Sequence, residues 1–182
     1  MHTPARTITH PVFGDEVTFT HTTATSDGQL TELHITLQPG GGNEPHFHQE
    51  FAETFTAIEG PLGLLVDGKI HQLAPGETMT ADIGVVHRFF NDSDQPVQFR
   101  VTIKPGHQGF EHMLRIMYGL ANDGLANSKG LPRNLYHLGI LSVISDTRLP
   151  GPLKYIGGVF RWFGQRGIKR GTYEALQQQY CR

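Results

Sequence analysis

Hydrophobic and polar positions alternate along the first hundred or so residues and then change period. Leu33, Ile35 and Leu37 alternate with His34, Thr36 and Gln38, the two-residue period of a half-buried strand, and Pro39-Gly40-Gly41-Gly42 ends the run. Val97, Phe99, Val101 and Ile103 repeat the pattern without a break up to Lys104. Between them, Leu62 to Val66 and Lys69 to Leu73 flank Asp67-Gly68, two residues that tolerate the positive φ of a type I′ turn, so a hairpin is predicted. Thr78 to Ala81 and Val85 to Asn91 supply further strands after Pro75-Gly76. About eight to ten short strands at regular spacing predict a mainly β barrel or jelly roll in preference to an open sheet.

Past Gly106 the period becomes helical. Phe110, Met113, Leu114, Met117, Leu120 and Ala121 make one apolar face, Glu111 and Arg115 stand four apart on the polar side, and Asn122-Asp123-Gly124 is the stop. A second helix is predicted from Pro132 to Ile144 with Leu135, Leu138 and Leu141 inward. A third, Pro152 to Phe163, carries Leu153, Ile156, Val159, Phe160 and Phe163 on one face and is weakened by Gly157-Gly158. The last, around Thr172 to Tyr180, has Thr172 as its expected cap. Charge divides at the same place. Residues 1–105 carry 5 Lys/Arg against 13 Asp/Glu, and residues 106–182 carry 10 against 4. The expected organisation is a β-barrel domain over 1–105 and an α-helical extension over 106–182, packed on the barrel or on a partner subunit.

Composition narrows the classes. Of 182 residues, 37% are hydrophobic and 18% charged, the balance of a globular chain with a sizeable core. Cys181 is the single cysteine and cannot close an internal disulfide, so a reducing cytoplasm is the simplest home. No apolar run approaches the roughly eighteen residues of a membrane span, and MHTPARTITH lacks the apolar centre of a secretion signal. Arg161, Arg166, Lys169 and Arg170 read as part of a helix that docks through its apolar stripe, on a barrel whose acidic charge can receive it or in a dimer, so neither nucleic acid nor membrane is an expected partner. No phosphate-binding loop, dinucleotide fingerprint or serine elbow occurs, and Gly40 to Gly42 precede a histidine-bearing strand instead of a helix.

The chemistry lies in His46, His48, Glu53 and His87. Side chains two apart on a strand share a face, so His46 and His48 form a clamp with Phe47 turned away, and Glu53 follows in a run where Glu53, Phe55 and Ala57 share parity. Three imidazoles and a carboxylate at these spacings can wrap one divalent ion once folding brings His87 in. His34, His71, His107, His112 and His137 lack such partners and read as solvent-facing or satisfied core residues, with His71 the one that strand alternation could aim at a barrel mouth.

The spacing around the four residues resembles the two motifs of the cupin superfamily. The first runs Gly40, five residues, His46, one, His48, four, Glu53, six, Gly60; the second runs Gly76, five, Asp82, one, Gly84, two, His87, three, Asn91. Asp82 stands where the family usually has proline, and an Asp can hold the turn through its own side-chain hydrogen bonds. The resemblance covers roughly residues 30–104 and implies a double-stranded β-helix barrel with His46, His48, Glu53 and His87 as metal ligands.

Nitrogen and oxygen ligands without thiolate suit Fe, Mn, Ni, Co or Zn, and a six-coordinate ion keeps two positions open, an arrangement for catalysis or ligand capture. The open positions fit a metal-dependent oxidoreductase acting on a small oxygen-bearing molecule, and the resemblance to cupins, which often include dioxygenases, implies a dioxygenase-like activity, with Glu53 as ligand and proton acceptor and Phe55 and Phe89 expected to line the substrate pocket. A non-catalytic small-molecule binding or sensing module and a metal-dependent lyase or isomerase are the alternatives. Sheet edges of a small barrel, together with the resemblance, favour a homodimer.

Overall fold

Alternation becomes pairing in the computed structural model, which describes residues 6–151 and 153–181. Among the described residues the strands are β1 (Thr7–His10), β2 (Asp15–His21), β3 (Thr31–Leu37), β4 (Ala52–Glu59), β5 (Leu62–Val66), β6 (Lys69–Leu73), β7 (Thr78–Ala81), β8 (His87–Phe90) and β9 (Val97–Lys104). They form a six-stranded antiparallel sheet in the order β1-β2-β3-β9-β4-β7 and a three-stranded one in the order β6-β5-β8. The two cleanest alternations lie side by side, with Leu33 opposite Val101, Ile35 opposite Phe99 and Leu37 opposite Val97. Their inward residues share one core with Leu62, Leu64 and Leu73 of the smaller sheet, each buried side chain contributing about 1.5–3 kcal/mol. The Asp67-Gly68 hairpin has φ of 50° and 74°, the type I′ pattern.

The turn that carries Asp82 is held differently from expectation. Val85 N–H donates to the Asp82 carbonyl at 3.0 Å and Gly84 sits at φ 80°, so backbone geometry closes the turn and the exposed Asp82 carboxylate takes no part in it.

The extension comprises α1 (Gln108–Asn122), α2 (Leu135–Ile144), α3 (Leu153–Lys169) and α4 (Thr172–Tyr180). α1 is buried on two sides. Phe110, Leu114 and Tyr118 join the barrel core, while Ile116 and Leu120 build a second core with Ile140, Leu141 and Leu176. That sandwiching corrects the polar side assigned to Glu111 and Arg115. Both are buried, Glu111 accepting from Thr23 N–H and from the Thr23 and Thr31 hydroxyls at 2.6–2.7 Å, and the Arg115 guanidinium lying 4.0 Å over the Phe19 ring.

Helix ends and faces differ as well. α2 starts at Leu135 because the Asn134 side chain caps it; Pro132 lies upstream, bridged to Ala126, and Leu135 is exposed. α3 runs on to Lys169, and its buried positions include Gly164 and Gly167. A Cβ on Gly164 would strike the Gly139 carbonyl, so α2 and α3 approach backbone to backbone, a contact that apolar periodicity does not register. Val159 points to solvent, and Pro152 and the side chains of Leu153 and Ile156 lie outside the described residues. α4 is capped by Gly171 at φ 77° instead of by Thr172.

Candidate metal centre

His46 and His87 meet as neighbouring backbone segments. His46 N–H donates to the His87 carbonyl at 3.0 Å and His87 N–H returns to the His46 carbonyl at 2.9 Å, which places both side chains on one face. His48, two residues on, faces the same way, and Glu53 arrives on β4, paired with Ala81 on one side and Ile103 on the other. Each of the four offers a ligand atom within 4.8 Å of the others, and all four are buried. With metal–ligand bonds of about 2.1 Å, two donors on one ion stand at most about 4.2 Å apart, so a contraction of roughly half an ångström suffices.

Ring orientation fits a metal too. His46 Nδ1 lies 2.9 Å from the Glu44 carbonyl, His48 Nδ1 3.3 Å from the Asp146 carbonyl and His87 Nδ1 2.9 Å from the Val85 carbonyl. A carbonyl only accepts, so each Nδ1 carries a proton and each Nε2 is the inward nitrogen that a metal could take. His48 Nε2 is buried without a hydrogen-bond partner, a cost that an ion would remove. Phe51 stacks on the His48 ring at 4.2 Å, and Phe110 of α1 closes on both edge to face.

Electrostatics divides the three imidazoles. Burial drives His46 down to about 4 and also lowers His48, because neither finds enough negative charge to offset its desolvation. His87 is desolvated as well, yet Glu53 Oε2 at 3.0 Å overrides that penalty and raises its pKa. Burial likewise opposes ionisation of Glu53, but the hydrogen bond from His87 and the charge of the three rings hold it down at about 2. Without metal, His87 is therefore the most readily protonated of the three imidazoles, facing an ionised Glu53 where a cation would otherwise sit.

The family model for a cupin domain matches residues 33–104. This stretch is a cupin domain. Over 96 residues, half of this chain, it is 34% identical to a probable oxidoreductase, patJ, of Aspergillus clavatus and 32% identical to the patJ protein of Penicillium expansum. The chain spans about 30% of the length of these curated relatives. Among solved structures it is similar to a predicted oxalate decarboxylase of Thermotoga maritima, at 19% identity and TM-score 0.49 over 57% of this chain and 92% of that one. It is also similar to a cupin sugar phosphate isomerase of Silicibacter pomeroyi, at 26% identity and TM-score 0.46 over 51% and 60%.

The cupin core places the remaining residues. Phe55 is fully buried with its ring 5.9 Å from His87, and Phe89, half-buried, contacts Phe55 and Phe99, so Phe55 lies beside the cluster and Phe89 behind it in the barrel core. His71 pairs with Leu64 of β5, itself opposite Phe89, and is not one of the four clustered residues. Three supporting residues carried no signal in the sequence. Phe51 and His107 sit in irregular stretches, and His107 caps α1 while its Nε2 donates to Glu50 at 3.1 Å. Asp146 lies 98 positions from His48 in the chain and reaches it only through the folding of the extension.

Proposed function

We propose that this chain is a metal-dependent oxidoreductase of dioxygenase type, acting on a small, flat, oxygen-bearing molecule. The observation that supports it most is the convergence of three Nε2 atoms on one ionised carboxylate, each ring oriented by a backbone carbonyl at its Nδ1. The naming of the fungal relatives as probable oxidoreductases supports the redox class over the half of the chain they share. A divalent ion of Fe, Mn, Ni, Co or Zn held by His46, His48, Glu53 and His87 would supply Lewis-acid or redox chemistry with coordination positions left for a substrate.

The protein's own groups do the rest. Backbone carbonyls fix the imidazoles, and the ionised Glu53, which accepts a hydrogen bond from His87 Nε2 at 3.0 Å, is placed to take a substrate proton as well as to ligate. Phe55 and Phe89 keep water from the inner side of the cluster and offer ring faces to an apolar substrate body. A homodimer is part of this reading, on the free edges of β1, β6 and β7 and the exposed Ile70, as is a cytoplasmic home for the free Cys181 thiol. No helix among the described residues is long and apolar enough to cross a membrane.

The test is to load the protein separately with Fe(II), Mn(II), Ni(II) and Zn(II) and to follow oxygen uptake with catechols, flavonols and diketones. Uptake that needs a redox-active metal and disappears in His87→Ala is the expected result. Tight chelator binding without turnover would favour a binding module, and turnover with Zn(II) in the absence of oxygen a lyase or isomerase.

A further inference from the structure

The segment between α2 and α3 is tied to the metal-bearing strand at five points. The Asp146 carbonyl accepts from His48 Nδ1 at 3.3 Å, and its Oδ2 accepts from the backbone N–H groups of Gln49 at 2.5 Å and Glu50 at 2.9 Å, the two residues that follow His48. Arg148 and Phe47 exchange two backbone hydrogen bonds of 3.0 Å, adding a short strand outside the His46–His48 clamp. Arg148 Nε also donates to Asp146 Oδ1 at 2.9 Å. Asp146 is buried and held at φ 51°, a left-handed conformation that Asp and Asn tolerate better than other side chains. Of the three carbonyls that fix ligand imidazoles, those of Glu44 and Val85 lie two residues from their histidines, whereas Asp146 comes from the extension.

Resting on the metal-centre reading above, we propose that Asp146 is a positioning residue of that centre, so that metal binding and the seating of residues 145–148 are coupled. A group that fixes a ligand ring commonly changes metal affinity by roughly 10–100-fold when removed. By reciprocity, the ion must stabilise the seated segment by the same factor. The extension is then part of the metal site and not an appendage to the cupin barrel.

Full-length protein, Asp146→Ala and Asp146→Asn are titrated with Co(II) against a competing chelator, with the visible Co(II) spectrum recorded. Backbone hydrogen exchange of residues 145–149 is measured with and without Co(II). Asp146→Ala keeps the carbonyl that accepts from His48 but removes the carboxylate that seats it on the Gln49 and Glu50 amides, so it should weaken Co(II) binding by roughly 10-fold and shift its spectrum. Asp146→Asn, which keeps one acceptor and the positive φ, should recover part of the affinity, and Co(II) should slow exchange at Arg148 in the unmodified protein. Co(II) affinity within about twofold of wild type in both variants, with exchange at 145–149 indifferent to metal, overturns the coupling and leaves Asp146 a structural tie. Failure of the unmodified protein to bind Co(II) would instead remove the metal-centre reading, and this inference with it.

Discussion

Proton competition offers a quantitative test of the metal centre. In the metal-free cluster both nitrogens of His87 donate, Nδ1 to the Val85 carbonyl and Nε2 to Glu53, whereas burial disfavours the charged forms of His46 and His48. A bound ion needs the lone pair of His87 Nε2, so loading must expel the proton held there. Below the raised pKa of His87, log Kd should therefore change by about one per pH unit, or about 1.4 kcal/mol. The slope should steepen as His48 protonates and again near pH 4, where His46 takes its own proton. Three ordinary histidines of pKa about 6.5 would give a slope approaching three over the same range. Zn(II) affinity from pH 5 to 8 by chelator competition measures the slope, and calorimetry in two buffers of different ionisation enthalpy counts the protons. A slope near three between pH 6 and 5, or no pH dependence at all, would refute the assignment of His87 as the most readily protonated of the three imidazoles. The metal-free fold follows with signs of its own. His46 and His48 bind protons more readily when unfolded, so their contribution destabilises the fold as pH drops below 6.5. His87 adds stability that is present below 6.5 and lost as pH rises through its folded pKa, and Glu53 adds stability present above 4.5 and lost as pH falls toward 2.

The packing of the extension gives two further expectations. Glu111→Ala leaves the Thr23 N–H and the fully buried Thr31 hydroxyl without their acceptor, costing about 3–5 kcal/mol, or roughly 6–20 °C in Tm; a loss under about 1 kcal/mol in thermal or urea unfolding would contradict it. On α3, Gly157→Ala meets nothing within 4 Å and should raise stability by up to about 1 kcal/mol, whereas Gly164→Ala runs into the Gly139 backbone and should lose about 1–3 kcal/mol despite the same gain in helix propensity. Equal effects at the two positions would remove the close α2–α3 contact.

Legibility followed distance along the chain. Alternation over Leu33–Leu37 and Val97–Ile103 reads as strand because each inward residue meets an inward partner, and Asp67-Gly68 reads as a turn because its conformation is local. The clustering of His46, His48, Glu53 and His87 was legible for a different reason: two backbone segments deliver them, and glycine punctuation fixes where each begins. Burial of Glu111 and Arg115 was not, since a helix packed on two sides has no polar face to display, and a polar pair four apart looks the same whether it meets water or threonine hydroxyls. Gly139 and Gly164 were equally silent, as helix contacts made by missing side chains leave no hydrophobic period.

Charge misled in a more instructive way. An acidic barrel and a basic tail suggest docking by opposite charge, yet the closest polar ties run the other way. Glu111 and Asp146, two of the four acids in residues 106–182, accept hydrogen bonds from barrel hydroxyls and backbone amides, and Tyr118 donates to Asp15 at 2.5 Å. Arg161 and Arg166 are exposed, Arg166 lying over the Trp162 ring of its own helix, and Arg170 bonds to Tyr136 of α2. The difference is physical. Net charge acts over a Debye length of about 8 Å and is screened by salt, whereas a buried carboxylate accepting two or three donors is directional and excludes ions. An extension held by Glu111 and Asp146 should therefore stay seated at high ionic strength, and hydrogen exchange at Thr23 and Gln49 in 1 M NaCl should match that in dilute buffer within about twofold. Rapid exchange at both amides in salt alone would return the docking to long-range charge.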